Sequence, residues 1–169
     1  MSKRELKKYI KELNKEQLEE QITELYSKFK EVKTYYDFAF NPNEEKLIDE
    51  CKFKISKEYF PVSGRKPKAR RSVAQKQIKH FKQLGVDAHL IADIMLYNIE
   101  IAQTFSSERI VKQDSFYTSI LKSFEEAIKY IEEYSIQAQF KERVQKIVQE
   151  SENQNWFNKR LFDNLAELY

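Results

Sequence analysis

Two glycines and three prolines are the only residues of those types in this chain of 169 residues. Turn-rich all-β folds need more of both, because their tight turns require positive φ angles or a fixed φ. Apolar residues make up 41% of the chain and charged residues 34%, a mixture that suits charged helices packed around a core. We therefore predict an all-α fold, and the length predicts a single domain, 1–169.

Capping residues and helix breakers predict the first two helices. Ser2 with Glu5, and Asn14 with Gln17, have the spacing of capping boxes. They predict a short first helix and a long second helix, which "NPN" at 41–43 ends. The second helix carries a narrow apolar seam with coiled-coil-like spacing, which could pair within the chain or with a second copy: Leu18, Ile22, Leu25, Phe29, Val32 and Tyr36.

The middle of the chain predicts three more helices. One follows Asn43, and its apolar stripe is Leu47, Cys51, Ile55 and Tyr59. After a loop with Pro61 and Gly64, the next helix is expected to begin near Pro67 and to end at Gly85. Asp87 then caps a helix of roughly 88–106 that is apolar almost all round, which predicts the central core helix.

Three further helices complete the prediction. Asp114 is the expected cap of the first, a break near 134–135 precedes the second, and the last begins at Trp156 with an apolar face of Phe157, Leu161, Leu165 and Leu168. Short connections between about eight helices predict antiparallel hairpins, arranged as a bundle or as an irregular α-solenoid. "QLGVDAHLIADI" aligns without gaps to "EYSIQAQFKERV" 50 residues later, which fits either HEAT-like repeats or the general similarity of helical hairpins.

Composition also bears on compartment and on chemistry. One cysteine, Cys51, excludes an internal disulfide, and "MSKRELKKYIKEL" has no apolar signal region, so we expect a cytoplasmic protein. The longest apolar run is interrupted by Asp93, Asn98 and Glu100, so no membrane helix is expected.

Residue types that usually carry catalysis are sparse. No glycine-rich phosphate loop or paired-cysteine motif occurs, and His80, His89, Cys51 and Asp87 lack the tight spacing of zinc ligands. His80 is expected to cap a helix C-terminus, and Cys51 to fill the core. We predict no catalytic residue, no metal site and no cofactor.

Asp93 and Glu100 lie seven residues apart on the most apolar helix. Buried carboxylates need a partner or water, so we expect a solvated stripe, or pairing with Arg70 or Arg71 from the preceding helix. The alternative is a carboxylate pair for acid–base chemistry or metal binding.

A basic segment, 65–82, stands out against an acidic remainder. No carboxylate side chain occurs from Tyr59 to Val86, and outside the segment 22 basic residues stand against 27 acidic ones, a net −5. Cations at a helix start oppose the helix dipole, so the segment predicts an anionic counterpart. Its eight cations are Arg65, Lys66, Lys68, Arg70, Arg71, Lys76, Lys79 and Lys82.

That counterpart is either internal, with Asp93 and Glu100 as the candidates, or external. We predict a non-enzymatic interaction or scaffold protein with a basic helix face for an acidic partner, either a protein or another polyanion. The alternative is binding of an RNA or DNA backbone through 65–82. The sequence leaves the oligomeric state open.

"EYFPVSGRKPKARRSVAQKQIKHFKQLGVDAHLIADIMLYNIEIAQTFS" resembles a family of small bacterial proteins classed as a domain of unknown function. The resemblance continues over most of the chain, from "SKRELKKYIKEL" through "VKTYYDFAFNP" to "ESENQNWFN". It implies a bacterial cytosolic helical protein and brings no catalytic residue.

Overall fold

A computed structural model of the chain describes residues 2–62 and 64–167. Within these residues the regular structure consists of nine α-helices, without a strand, which confirms the all-α prediction. The helices group into two compact units, Met1–Asn43 and Glu44–Tyr169. The single-domain expectation stays a prediction, and each unit is described by itself.

The first unit holds α1 (Lys3–Glu12), α2 (Lys15–Lys28) and α3 (Lys30–Phe40). Both predicted capping boxes are confirmed: Ser2 and Glu5 exchange hydrogen bonds at the start of α1, and Asn14 and Gln17 do so at the start of α2. None of these three helices contains a buried residue.

The prediction of one long second helix is wrong, because the helix breaks at Phe29. Phe29 has an extended conformation with φ −116° and ψ 115°, and α3 then packs against α2. The Tyr26 hydroxyl donates to the Asp37 carboxylate at 2.7 Å, and the rings of Tyr26 and Tyr36 lie 6.4 Å apart. α3 thus folds back on α2, but Ile22, Leu25 and Phe29 of the predicted seam remain 44%, 45% and 51% exposed.

The second unit holds six helices: α4 (Glu44–Tyr59), α5 (Arg71–Leu84), α6 (Ala88–Glu108), α7 (Asp114–Glu133), α8 (Gln137–Asn153) and α9 (Lys159–Glu167). As predicted, α6 is central: it packs against α4, α5, α7 and α8, and Ile94, Leu96 and Ile99 are fully buried. The predicted turn before it is also confirmed, since Gly85 has a left-handed φ of 75° and Asp87 accepts from the His89 N–H at 2.8 Å.

Packing in the second unit follows chain order. Each extensive helix–helix contact joins helices that are one or two positions apart, as in α4 with α6, α5 with α7 and α7 with α9. Stacking of successive helices, the principle of an α-solenoid, produces this pattern.

Three predicted boundaries need correction. α5 begins at Arg71, not near Pro67, because the N–H groups of Lys68 and Ala69 bond to Glu58 across the loop. Asp114 is the first residue of α7, and Gln113 occupies the cap position.

The third boundary is the start of the C-terminal helix, which begins at Lys159 and not at Trp156, and its predicted apolar face is also wrong. Phe157 is 63% and Leu161 49% exposed, whereas Trp156 and Phe162 are buried against α7 residues such as Phe124 and Phe116. The predicted face was therefore rotated. Leu168 lies outside the described residues.

Candidate functional site

The loop after α4 is tied to the last turn of that helix through one residue, Glu58. Its carbonyl oxygen accepts from the N–H groups of Lys68 and Ala69, each at 2.9 Å. Its carboxylate accepts a two-pronged bond from the Arg70 guanidinium, at 2.8 Å to each oxygen. The hydrogen bonds from the Arg70 side chain, followed by the charge of Arg70, hold the pKa of Glu58 below its usual value although burial opposes them. The loop is therefore closed by both the backbone and the side chain of Glu58.

The closed loop forms one wall of a basic groove of about 380 Å³, which we call the loop groove. Five of its side chains are cationic and one, Glu58, is anionic. Within residues 2–62 and 64–167, no carboxylate oxygen lies within 4.0 Å of the charged groups of Arg65, Lys66 or Lys68. Such a cluster concentrates positive potential at one place. The lining residues are Lys57, Glu58, Pro61, Val62, Arg65, Lys66, Lys68 and Arg70.

The other half of the basic segment lies on α5 and has different surroundings. Arg71 pairs with Glu126 at 2.6 Å and donates to the Ser123 hydroxyl at 2.7 Å, so its charge is already used within the fold. Lys79 and Lys82 line a second groove together with Glu126 and Glu133. Lys76 is exposed.

The cations of the segment do not all lie on one helix face. Lys68 precedes α5, Arg70 occupies its cap position, and the cations of the segment divide between a loop surface and a mixed-charge surface.

Asp93 and Glu100 do not pair with Arg70 or Arg71. They share Arg143 of α8, which donates to Asp93 at 2.6 Å and to both oxygens of Glu100 at 2.8 Å. Lys52 of α4 adds a salt bridge to Asp93 at 2.7 Å. The reason is topological: α6 presents these carboxylates toward α4 and α8, while Arg70 is held by Glu58.

The protonation state of Asp93 follows from this network. Burial favours the neutral acid, but hydrogen bonds from Lys52 and Arg143 outweigh it and lower the pKa of Asp93 below its usual value. A carboxylate held ionised by two cations is a poor general acid or base near neutral pH. Asp93 and Glu100, together with Arg143 and Lys52, thus form an ion-pair network that links α6 to α4 and α8, which we call the electrostatic brace.

The residues considered for a metal site lie apart. His80 packs beside Phe81, with ring centroids 6.2 Å apart, and His89 beside Phe140 at 4.8 Å. Cys51 is buried, and that burial raises the pKa of its thiol to about 12 although nearby lysines oppose the shift. In the part of the chain that the structure describes, no three His, Cys, Asp or Glu side chains are grouped so as to hold a metal ion. The absence of a metal and of a cofactor stays a prediction.

Two cations that lie beside the loop between α4 and α5, and a further basic cluster on α1, were not identified from the sequence. Lys57 lies in the last turn of α4 beside the loop, and Arg109 is the C-cap of α6 beside the loop residues 67–69. Both flank connectors, but only the fold brings them to the segment. On α1 a purely cationic surface also exists, and five basic residues within nine positions were its visible signal: Lys3, Arg4, Lys7, Lys8 and Lys11.

Comparison with known proteins identifies a family but no activity. A family model with the description "Family of unknown function (DUF6155)" matches residues 1–169. No curated protein and no solved structure matches the chain significantly. Within the described residues, no helix combines the length and the hydrophobicity that crossing a bilayer requires.

Proposed function

The chain belongs to DUF6155, a family of unknown function, and from its geometry we propose that it is a non-enzymatic binding protein whose loop groove takes an acidic segment of a partner protein. One observation carries this proposal: five cations line the loop groove, and its single carboxylate is already bound by Arg70. We place the protein in the cytoplasm, where the free thiol of Cys51 would stay reduced.

The loop groove is preorganised for binding an anion. Pro61 and Pro67 restrict the loop backbone, and Glu58 anchors both the backbone and Arg70. Arg65 and Lys66 are exposed and have no carboxylate partner among the residues that the structure describes, so a ligand need not break an ion pair there. Preorganised cations bind with a smaller loss of conformational entropy than flexible ones.

A partner protein fits this surface better than a nucleic-acid backbone does. A long phosphate backbone is best served by a continuous basic face, which releases many counterions on binding. Beyond the loop, however, the cations Lys79 and Lys82 share their groove with Glu126 and Glu133. A local cluster beside a mixed surface suits a short acidic segment, whose carboxylates can accept charge-assisted hydrogen bonds.

Two charge-reversal variants test this proposal. The loop variant is Arg65→Glu, Lys66→Glu and Lys68→Glu, and the control variant Lys76→Glu, Lys79→Glu and Lys82→Glu makes the same change in net charge on α5. Binding of a fluorescent, Glu-rich 12-residue peptide is measured by anisotropy, with circular dichroism to verify folding. Each lost contact is expected to cost about 0.5–1 kcal/mol, so the loop variant should bind roughly 10- to 100-fold more weakly.

The control variant should retain binding within about threefold, because its cations lie outside the loop groove. Equal losses in both variants would show that net charge, not the loop groove, governs binding. The same titrations with single-stranded RNA and duplex DNA over a salt series test the nucleic-acid alternative. Tighter binding to either nucleic acid than to the peptide would replace the proposal with that alternative.

A further inference from the structure

A second groove adjoins the loop groove on the other side of residues 67–69. It has a volume of about 470 Å³, and Lys68 lines both grooves. The connector between α6 and α7 forms its far wall, so we call it the connector groove. Its lining residues are Pro67, Lys68, Ala69, Phe105, Arg109, Ile110, Val111, Gln113, Ser115, Phe116 and Ser119.

The connector groove combines apolar walls with a cationic rim. The rings of Phe105 and Phe116 lie 6.2 Å apart at the edge of the core, and Ile110 is 91% exposed beside them. The guanidinium carbon of Arg109 lies 5.3 Å from the centroid of the Phe105 ring, which places this cation against the apolar wall. No carboxylate lines the groove among the described residues.

We propose that the acidic segment of the partner also carries a large apolar side chain, an inference that rests on the proposed function. This side chain enters the connector groove, while neighbouring carboxylates of the segment pair with Lys68 and Arg109. A purely anionic ligand would leave Ile110, which is 91% exposed, in water. A purely apolar ligand would remove water from Lys68 and Arg109 without a counter-charge, which is costly. A segment that combines both chemistries satisfies both grooves.

The charges of the two grooves support a single, continuous ligand. Together the grooves present six cations and one carboxylate, Glu58, and Lys68 joins them. Protein interfaces commonly place an apolar anchor in a pocket and polar groups around it, and the anchor supplies most of the discrimination between ligands. The loop groove would then attract the partner, and the connector groove would select it.

Two peptides test the inference: a 12-residue Glu-rich peptide with a central Phe, and the same peptide with Ser at that position. Wild-type protein should bind the Phe peptide about tenfold more tightly, as burial of one large apolar side chain predicts. Ile110→Ser should reduce this preference at least ~threefold and leave the affinity for the Ser peptide unchanged. Leu161→Ser, which changes an exposed aliphatic residue outside both grooves, is the matched control and should keep the full preference.

The two proposals fail in different ways. If the Ser peptide binds the wild type but the Phe peptide binds no better, the connector groove does not take an apolar anchor, while the loop groove proposal stands. A preference that persists in Ile110→Ser also overturns the inference. If a second copy of the chain occupies the connector groove, sedimentation will show a dimer that Ile110→Ser dissociates, and the peptide proposal is then wrong.

Discussion

Replacing Arg143 by Met removes the cation that links α8 to two carboxylates of α6. Arg143 donates to Glu100 through Nε and Nη2, each at 2.8 Å, and to Asp93 through Nη1 at 2.6 Å. Its side chain is 30% exposed, that of Asp93 17% and that of Glu100 35%. Methionine keeps most of the apolar stem, so the change isolates the charge and its hydrogen bonds.

The expected loss of unfolding free energy in Arg143→Met lies between the loss for a surface ion pair and the loss for a buried one. Exposed ion pairs contribute about 0–1 kcal/mol, whereas loss of one partner from a buried pair costs about 3–5 kcal/mol. Partial exposure reduces the cost at Glu100, and Lys52 still holds Asp93 at 2.7 Å. We therefore expect the free energy of unfolding to fall by about 2 kcal/mol at pH 7.

The loss should depend on pH in a defined direction. The pKa of Asp93 lies below its usual value in the folded protein, because Lys52 and Arg143 outweigh the effect of burial. A carboxylate with a lowered folded pKa contributes its full stability above the unfolded pKa, and this contribution is lost as the pH falls through the folded pKa. The difference in unfolding free energy between wild type and Arg143→Met should thus become smaller below about pH 4.

Urea unfolding followed by circular dichroism, at pH 7 and at steps down to pH 3, measures both effects. The control is Lys129→Met, which breaks the exposed pair of Lys129 with Glu125, whose side chains are 69% and 43% exposed. This control should change the free energy of unfolding by less than about 0.5 kcal/mol. If Arg143→Met costs no more than the control, or if its cost stays constant down to pH 3, the electrostatic brace is refuted.

Two further predictions concern the loop and the thiol. Glu58→Gln weakens the anchor of Arg70. Limited trypsin digestion should then cut after Arg65 about fivefold faster, since a lost charged hydrogen bond costs on the order of 1 kcal/mol; an unchanged rate would show that the backbone bonds to Glu58 suffice. Because burial raises the pKa of Cys51 to about 12, its reaction with a disulfide reagent at pH 8 should be at least ~100-fold slower in the native protein than in urea. Equal rates in the two conditions would contradict the assigned burial.

Helix starts that depend on interactions within a few residues could be predicted from the sequence. Ser2, Asn14 and Asp87 cap their helices as expected, and Gly85 takes the left-handed conformation at its turn. A cap depends on its own side chain and on backbone groups two or three residues away, so local sequence contains the necessary information.

The break at Phe29 and the late start of α5 could not be predicted in this way. Phe29 ends α2 without a glycine or proline, because contacts between α2 and α3 such as Tyr26 with Asp37 compensate the lost helical bonds. α5 begins only at Arg71 because the preceding backbone bonds to Glu58, ten residues earlier than Lys68. Both boundaries depend on contacts between separate elements, and periodicity does not report such contacts.

By itself, the sequence determined that this chain is helical, where most of its helices begin, and that one segment carries eight cations and no carboxylate. Only the tertiary structure decided which cations are neutralised. Arg71 is paired with Glu126 and Arg143 with Asp93, across 55 and 50 residues, while Arg65, Lys66 and Lys68 stay without a carboxylate within 4.0 Å in the described chain. The physical reason is the short range of an ion pair: composition states the charges, but their distances arise only when the helices pack.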